Sequence, residues 1–346
     1  MGYSGVVARA WRDNVLISAL IELTYRCNLK CFYCYNDLGL AGQPLSESQH
    51  LALLEELAGL DVLHVTFTGG EPLACPHFFA LGRRARELGF VLRVKSNGHT
   101  LGRTVATRLR DEVDPFLIEV SLHGSCSATH DRQTQVAGSF RRLLRNLEGA
   151  VAIGLHVKLN ATLTAWNEHE IEAMFALADR LGLPLAFSPT VTPRDDGDTT
   201  PLEIAPSRAG VERLYRFLDA KYPDAASALA PGCTPAPTVD KNCGAGSAGI
   251  AIDPFGNVYP CVQWRRSLGN LHQHRLAEIW RSSPRLAEIR DLTVAAKKKR
   301  DALGTLGKSI SFCPGLSEEL TGDPLGLEAG AISNAMQLIQ VRRTQA

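Results

Sequence analysis

The chain has 346 residues, of which 45% are hydrophobic, and this is enough to bury a sizeable core in one large domain followed by a smaller one. A formal net charge of only +1 excludes a global electrostatic attraction to nucleic acid or to an anionic membrane. No apolar stretch approaches the roughly 20 residues of a membrane span and no secretory signal is visible, so we expect a cytoplasmic protein without nucleic-acid or membrane partners.

Alternating strand-like and helix-like segments fill the first two-thirds of the chain. Apolar, β-branched segments predict six strands, at residues 15–24, 62–68, 91–96, 116–122, 156–163 and 185–189. Helices are expected at about 46–57, 76–88, 140–152, 168–181 and 206–221. Ser46 and Ser139 are the expected N-caps of two of them. The alternation predicts an α/β fold with a parallel sheet, an open partial (β/α)6 barrel rather than a closed eight-stranded one.

Three cysteines follow the first predicted strand within eight residues, at Cys27, Cys31 and Cys34. One short loop can wrap these thiols around a soft metal centre, and thiolates select zinc, copper(I) or iron–sulfur clusters. A structural zinc site normally takes four protein ligands, whereas a four-iron cluster on three thiolates keeps one iron open for chemistry. Nine cysteines, an odd number, also favour metal ligands over disulfides in a reducing compartment. The alternative is that the three are structural or buried thiols.

The second predicted strand is followed by Gly69, Gly70, Glu71 and Pro72. Two glycines allow the backbone to approach a ligand closely, and Glu71 places a carboxylate beside that approach. Taken alone, the same four residues are also compatible with an ordinary turn. The cysteine loop one strand upstream decides between a ligand-binding turn and an ordinary one.

With Tyr33 before the last cysteine, the loop has the pattern C-x-x-x-C-x-aromatic-C, and the sequence resembles the radical S-adenosylmethionine (SAM) enzymes. The resemblance implies that Cys27, Cys31 and Cys34 hold a 4Fe-4S cluster whose open iron binds the amino and carboxylate groups of SAM. One electron from the cluster, supplied by an external donor, then cleaves SAM to a 5'-deoxyadenosyl radical. In this family a GGE(P) motif after the second strand receives the methionyl amino group, which assigns SAM binding to Gly69, Gly70, Glu71 and Pro72.

Polar residues at the tips of the later strands extend this resemblance. It places Asn97 and Ser121 near the ribose or carboxylate of SAM, and the Asn160 side chain and Leu163 backbone near the adenine. Without the resemblance, Ser and Asn at strand ends are explained by capping of backbone groups. Cys126 follows the fourth strand, and its functional interpretation is a hydrogen-atom donor of the kind that some peptide epimerases use. A buried, inert thiol is the alternative.

The segment 192–204 is polar and rich in turn residues, among them Asp195, Asp196, Gly197 and Asp198. It follows the sixth strand, so we expect it to lie over the carboxyl ends of the strands, where parallel α/β sheets bind ligands. Such a loop either gates the substrate or serves as a surface linker.

A change of composition to Pro, Ala and Gly at 223–237 marks a domain boundary. We therefore expect domains at 1–222 and 223–330, and a C-terminal helix or tail at 331–346. The second domain contains four further cysteines, at Cys233, Cys243, Cys261 and Cys313. Two short strands, 249–252 and 258–260, form a hairpin through residues 253–257, and this hairpin is expected to bring Cys243 and Cys261 together.

The cysteine and glycine motifs around this hairpin, and a following Glu278-Ile279-Trp280 helix, resemble the SPASM/twitch auxiliary-cluster module, a small α+β domain. The module is appended to radical SAM enzymes that mature peptides and proteins, and it also occurs in some haem-pathway enzymes. Too few cysteines follow Cys261 for two auxiliary clusters, so the resemblance implies one auxiliary 4Fe-4S cluster. Its expected ligands are Cys233, Cys243, Cys261 and Cys313. Asp323 or an open site could replace Cys233, and a zinc knuckle is the alternative to the cluster.

The resemblance implies an enzyme that abstracts a hydrogen atom from a residue of a ribosomally synthesised peptide and crosslinks or oxidises that residue. Sulfatase maturation is disfavoured, because enzymes of that group place an aspartate base directly after the cysteine matching Cys261, where this chain has Val262 and Gln263. Only a short segment precedes the first strand, so leader recognition is expected to need a separate protein or the auxiliary module.

Two other functions stay open. The first is radical SAM modification of a small molecule such as a haem precursor. The second is a non-catalytic iron–sulfur protein for electron transfer or sensing. The Gly-Gly-Glu-Pro turn argues against the second, since simple electron carriers need no SAM pocket.

Overall fold

The computed structural model describes residues 2–37, 39–223 and 239–345. Its first six strands are β1 (Ser18–Glu22), β2 (His64–Thr68), β3 (Val91–Ser96), β4 (Leu117–Ser121), β5 (Val157–Thr162) and β6 (Leu185–Ser188). Each strand pairs in parallel with the next, so chain order is also spatial order. All six predicted strands are confirmed; the third matches its predicted range, and the others are shorter at one or both ends.

Three more strands complete a nine-stranded sheet in the described part of the chain: β7 (Gly249–Ile252), β8 (Asn257–Tyr259) and β9 (Gly269–Asn270). β7 pairs in parallel with β1, with Ser18 opposite Gly249 and Ile21 opposite Ile252. β8 is antiparallel to β7, and β9 is antiparallel to β8. The spatial order is β6-β5-β4-β3-β2-β1-β7-β8-β9, so the sheet is open, as predicted.

Helices before, between and after these strands cover the sheet. They are α1 (Tyr3–Asp13), α2 (Glu47–Gly59), α3 (Phe78–Glu87), α4 (Arg103–Arg108), α5 (Ser127–Thr134), α6 (Ser139–Ala152), α7 (Ile171–Arg180), α8 (Arg208–Lys221), α9 (Leu276–Ser282), α10 (Pro284–Ala302), α11 (Thr305–Ser309), α12 (Pro314–Thr321) and α13 (Ala329–Gln345). The five helices predicted in the first domain correspond to α2, α3, α6, α7 and α8. α1, α4 and α5 lie outside the predicted helices.

The N-terminal ends of α2 and α6 are capped in different ways. Ser46 forms the predicted cap of α2: its Oγ accepts from Gln49 N at 3.2 Å, while Gln49 Oε1 accepts from Ser46 N at 3.0 Å. The prediction for α6 is wrong, because Gly138 is its N-cap and Ser139 is the first helical residue. The Asp131 carboxylate accepts from Gly138 N at 2.7 Å and from Ser139 Oγ at 2.8 Å. A full negative charge suits a helix N-terminus better than a neutral hydroxyl.

One continuous hydrophobic core lies between the helices and one face of the sheet. The strand residues on that face, such as Val65, Phe67 and Ile118, are fully buried. Successive strand side chains point to opposite faces, and the other face carries partly exposed or exposed polar residues such as Lys95 and Glu119. The core also includes residues of β7, β8 and α9, so it continues into the second predicted domain.

Residues 224–238, which include most of the predicted domain boundary, lie outside the described residues, and the division into domains stays a prediction. At the other end of the chain, α13 packs on α8, where Arg208 Nη2 donates to Gln340 Oε1 at 3.2 Å. Among the helices of the described ranges, none is long and apolar enough to cross a membrane.

Candidate active site

The turn at residues 69–72 docks directly onto the base of the cysteine loop. Gly70 N donates to Thr24 O at 2.6 Å, and Glu71 N donates to Arg26 O at 3.0 Å. A Cβ at Gly69 would lie 2.3 Å from Thr24 O, and one at Gly70 would lie 2.5 Å from Arg26 O. Gly69 also has a φ of 126°, which residues with a side chain rarely adopt. The close backbone approach expected of the two glycines is therefore made to the cysteine loop itself.

The three thiols of the loop lie near one another. Cys27 is exposed, and Cys31 and Cys34 are half-buried. Burial, followed by the neighbouring charges of Cys34 and Cys27, raises the pKa of Cys31 to about 12. Burial also raises the pKa of Cys27 and of Cys34. Thiolates this close together repel one another unless a cationic centre holds them, so the donor set fits an iron–sulfur cluster.

A site for a single metal ion would need at least three His, Cys, Asp or Glu side chains that converge on one position. Within residues 2–37, 39–223 and 239–345, no three His, Cys, Asp or Glu side chains converge on a position for one metal ion. This finding concerns a lone ion, and a four-iron cluster has different spacing requirements.

Glu71 is fully buried, and its carboxylate is directed towards the tip of β3. It accepts from Ser96 Oγ at 2.9 Å, from Asn97 N at 2.8 Å and from Leu73 N at 3.1 Å. Burial raises the pKa of this carboxyl to about 7, although the three donors act in the opposite direction. Glu71 therefore fixes the turn against β3, and its direct contact with the SAM amino group stays a prediction.

Asn97 connects the tip of β3 to the cysteine loop. Its Nδ2 lies 3.5 Å from Cys27 Sγ and 2.8 Å from Asn28 Oδ1. Leu29 N is a second donor to Cys27 Sγ, also at 3.5 Å. Hydrogen bonds to the ligand sulfurs are one of the means by which proteins tune the reduction potential of an iron–sulfur cluster. The structure thus places Asn97 beside a predicted cluster ligand.

Tyr33, the aromatic residue of the cysteine pattern, contacts a histidine that the sequence analysis did not identify as a site residue. Tyr33 Oη and His123 Nδ1 are hydrogen bonded at 2.6 Å. Burial lowers the pKa of His123 to about 4, so its ring is neutral at neutral pH. The His123 carbonyl accepts from Gln133 Nε2 at 2.9 Å and from Asn167 Nδ2 at 3.2 Å. The available signal was its place at the polar tip of the fourth strand.

The remaining predicted SAM contacts lie at the carboxyl ends of β4 and β5. Ser121 and Asn160 are register partners on these neighbouring strands, and both are partly exposed. Leu163 is fully buried, and its N–H donates to Ser188 O at 2.8 Å in the pairing of β5 with β6. The structure brings Ser121 and Asn160 together, whereas the Leu163 N–H is already used within the sheet.

Cys126 is exposed at the N-terminal end of α5, so the alternative of a buried thiol is wrong. Its Sγ lies 3.5 Å from Glu170 Oε1. The Glu170 carboxylate also accepts from Ser125 N at 2.6 Å and from Ser125 Oγ at 2.8 Å. Cys126 therefore lies beside a buried anion, and its role as a hydrogen-atom donor stays a prediction.

Three of the four cysteines predicted for the auxiliary site lie together, and Cys233 falls outside the described residues. Cys243 and Cys261 pack against the same small hydrophobic cluster, which confirms that the β7–β8 hairpin brings them together. Burial, together with the neighbouring charges of Cys261 and Cys313, raises the pKa of Cys243 to about 12. Asp323, the predicted substitute ligand, accepts from a backbone N–H two residues further on, at 2.8 Å.

The loop after β6 lies between the two cysteine sites. Asp195 N donates to Tyr35 O, just after the last cysteine of the first loop, at 2.8 Å. The Asp195 carboxylate pairs with Arg265, four residues after Cys261, at 2.7 Å. A cavity of about 350 Å³ lies between this loop and the segments that follow Cys261 and Cys313. The loop therefore does more than link two elements, and substrate gating by it stays a prediction.

Comparison with known proteins agrees with this geometry. Residues 21–178 match the family model of the Radical SAM superfamily, and residues 243–304 match the model of SPASM, an iron-sulfur cluster-binding domain. Among curated relatives, the mycofactocin maturase MftC of Mycobacterium ulcerans is 32% identical over 284 residues, which cover 78% of this chain and 76% of the relative. The PqqA peptide cyclase of Ruegeria pomeroyi is 32% identical over 254 residues, covering 71% of this chain and 67% of the relative.

A third relative is named as a pre-heme synthase, whereas the first two are named as a maturase and a peptide cyclase. Pre-heme d1 synthase of Dinoroseobacter shibae is 28% identical over 345 residues, which cover 88% of this chain and 83% of the relative. Among solved structures, that of anSMEcpe with bound AdoMet has a TM-score of 0.72 at 16% identity, covering 95% of this chain and 94% of that one, and so shares the fold. The family models and the identity to MftC together show that the chain belongs to the radical SAM superfamily and carries a SPASM domain.

Proposed function

We propose that this radical SAM enzyme crosslinks or oxidises a residue of a ribosomally synthesised peptide. The observation that carries the proposal is the docking of the glycine turn onto a loop with three clustered thiols, in a chain at least 30% identical to a peptide cyclase and to a maturase. Membership of the family supports an enzyme over a non-catalytic iron–sulfur protein. The cofactors of the family, a 4Fe-4S cluster and SAM, supply a 5'-deoxyadenosyl radical when bound.

The cluster ligands in this proposal are Cys27, Cys31 and Cys34. Their mutual electrostatic influence supports a common centre, and the absence of a fourth cysteine from the loop leaves room for SAM. Around them, the chain's own groups orient and enclose SAM: the backbone of the turn at residues 69–72, and the tips of β3, β4 and β5. We assign SAM contacts to Gly69, Gly70, Glu71, Pro72, Asn97, Ser121, Asn160 and Leu163.

The auxiliary 4Fe-4S cluster in this proposal is held by Cys243, Cys261 and Cys313, with Cys233 as the fourth ligand. The SPASM match supports auxiliary iron–sulfur binding, and the number of cysteines supports one cluster. An external electron donor and a separate leader-binding protein are the proposed partners. We also propose a cytoplasmic location, because thiolate-held clusters and their reduction suit a reducing compartment.

The test is the anaerobic reaction of reduced, reconstituted protein with SAM and short candidate precursor peptides, followed by mass spectrometry. We expect release of 5'-deoxyadenosine and a peptide mass lowered by pairs of hydrogen atoms. Cys27→Ala should abolish both, because it removes one of three ligands from the proposed SAM-binding cluster. Protein that never releases 5'-deoxyadenosine under these conditions would contradict the proposal, because the proposed reaction depends on cleavage of SAM.

A second candidate function is modification of a tetrapyrrole. It is favoured by one observation, the match to pre-heme d1 synthase over 88% of this chain. The same reaction mixture distinguishes the two functions. A tetrapyrrole that changes mass while every peptide stays unchanged would favour the second, and a modified peptide with an unchanged tetrapyrrole would favour the first.

A further inference from the structure

Glu22 is a buried carboxylate that ties the two ends of the cysteine loop together. It is the last residue of β1 and is fully buried. Tyr25 Oη donates to Glu22 Oε2 at 3.0 Å, and Tyr35 Oη donates to Glu22 Oε1 at 3.4 Å. Tyr25 lies two residues before Cys27, and Tyr35 directly follows Cys34. One carboxylate therefore accepts a hydrogen bond from a tyrosine hydroxyl at each end of the loop.

The charge of Glu22 is balanced by an arginine of the second predicted domain. Arg265 Nη1 and Nη2 donate to the two carboxylate oxygens of Glu22 at 2.9 and 3.0 Å, which is a bidentate pair. The side chains of Arg265 and Glu22 are only 15% and 0% exposed, unlike the surface ion pairs that contribute little. A buried carboxylate without such a partner is strongly unfavourable, so the arrangement at Glu22 depends on Arg265.

Two further contacts fix Arg265 beside the auxiliary thiols. Its Nη2 lies 2.7 Å from Asp195 Oδ2, in the loop after β6. Its guanidinium carbon lies 5.0 Å from the centre of the Tyr259 ring. Tyr259 precedes Cys261 by two residues and Arg265 follows it by four. Arg265 thus belongs to the segment that carries Cys261, but its guanidinium pairs with Glu22 at the base of the loop that carries Cys27.

We propose that Arg265 is a positioning residue through which the auxiliary domain holds the cysteine loop in its SAM-binding geometry. The inference rests on the proposed function, since it takes Cys27, Cys31 and Cys34 as the cluster ligands. Arg265 acts through the carboxylate of Glu22, which lies 243 positions away in the sequence, and through the two tyrosine hydroxyls bound to that carboxylate. Loss of the guanidinium leaves a buried carboxylate without its ion-pair partner, and the acceptor that holds the two ends of the loop is then no longer fixed in place.

The test compares Arg265→Met and Arg265→Lys with the wild type as anaerobically reconstituted holoenzymes. The readouts are the dissociation constant for SAM and the change in the EPR spectrum of the reduced cluster when SAM is added. We expect Arg265→Met to weaken SAM binding by about tenfold or more, since that factor is a modest part of the penalty for an unpaired buried charge. Arg265→Lys should lose less, because an ammonium keeps the charge without the bidentate geometry.

Arg266→Met is the matched control. Arg266 is the neighbouring residue, but its guanidinium pairs with Glu288 and Glu318 instead of Glu22. We expect this variant to keep the wild-type SAM affinity and EPR change. A combined Glu22→Gln, Asp195→Asn and Arg265→Met variant removes the arginine and both carboxylate charges that it pairs with, and it keeps an acceptor oxygen for the tyrosines, so it should recover much of the affinity lost in Arg265→Met.

Two results would overturn the inference. One is wild-type SAM affinity and EPR change in folded Arg265→Met or, should that variant not fold, in Arg265→Lys. The other is an equal loss in Arg266→Met, which would show a general effect of removing an arginine from this region. Wild-type protein that neither binds nor cleaves SAM is a separate outcome, because it removes the proposed function itself.

Discussion

The side-chain amide of Asn97 donates a hydrogen bond to Cys27 Sγ, with 3.5 Å between Nδ2 and the sulfur. A donor to a ligand sulfur stabilises the more negative, reduced state of a cluster. We predict that Asn97→Ala lowers the reduction potential of the SAM-binding cluster by roughly 40 mV, if the bond contributes about 1 kcal/mol. The measurement is an EPR-monitored redox titration without SAM. Asn270→Ala, whose amide contacts Phe255 and Asn257, is the control and should leave the potential unchanged.

Gly70→Ala should prevent assembly of the first cluster while sparing the auxiliary one. The new Cβ would lie 2.5 Å from Arg26 O and 2.7 Å from Tyr25 O, and backbone atoms cannot move aside as a flexible side chain can. We expect the iron content to fall from about eight to about four per chain after anaerobic reconstitution. Gly149→Ala, in α6, meets nothing within 4 Å and should keep the full content. Full iron in Gly70→Ala would contradict the docking of the turn on the loop.

Burial of His123 predicts a loss of stability in mild acid. Its pKa in the folded protein is lowered to about 4, so between about pH 6.5 and 4 the unfolded chain binds a proton that the folded protein does not. The free energy of unfolding should therefore fall over this range, by about 3 kcal/mol from this residue. Urea denaturation of cluster-free protein at several pH values measures it. His123→Gln should remove this part of the dependence and leave the part that comes from His130, whose pKa burial also lowers.

Removal of Cys233 tests the fourth ligand of the auxiliary cluster. If Cys233 is a ligand, Cys233→Ala should reduce the iron content from about eight to about four per chain, or leave a cluster with an altered EPR spectrum. Cys75→Ala is the control, because Cys75 is buried in the core and is assigned to neither cluster. Unchanged iron and an unchanged spectrum in Cys233→Ala would point to another ligand or to an open site.

The strands and the cysteine loop could be predicted from sequence because their signals are local. Val65, Phe67 and Val94 lie in short β-branched or aromatic segments, and their complete burial matches that pattern. The cysteines and the glycine turn follow two of these strands directly. By contrast, α1 contributes a single buried residue, Ala10, so its apolar pattern is a weak signal of a packed helix.

Contacts between distant parts of the chain could not be predicted, because no local sequence pattern indicates them. The pairing of Glu22 with Arg265 and the role of Asp131 at the start of α6 depend on side chains that only the fold brings together. The sequence indicated that Glu71 belongs to the site, but not that Ser96 and Asn97 already occupy its carboxylate. Charged and polar residues at strand ends can be recognised as site residues, while their partners depend on register and loop path.

The parallel pairing of β7 with β1 has a consequence for biosynthesis. Until the ribosome has made residues 249–252, the first strand of the chain has an unsatisfied edge, and unsatisfied edges invite pairing with other chains. Contacts between such widely separated segments also form slowly. We therefore expect a nascent chain truncated before β7 to aggregate or to recruit chaperones, so a shortened version of this enzyme should keep that strand even where the auxiliary cluster is dispensable.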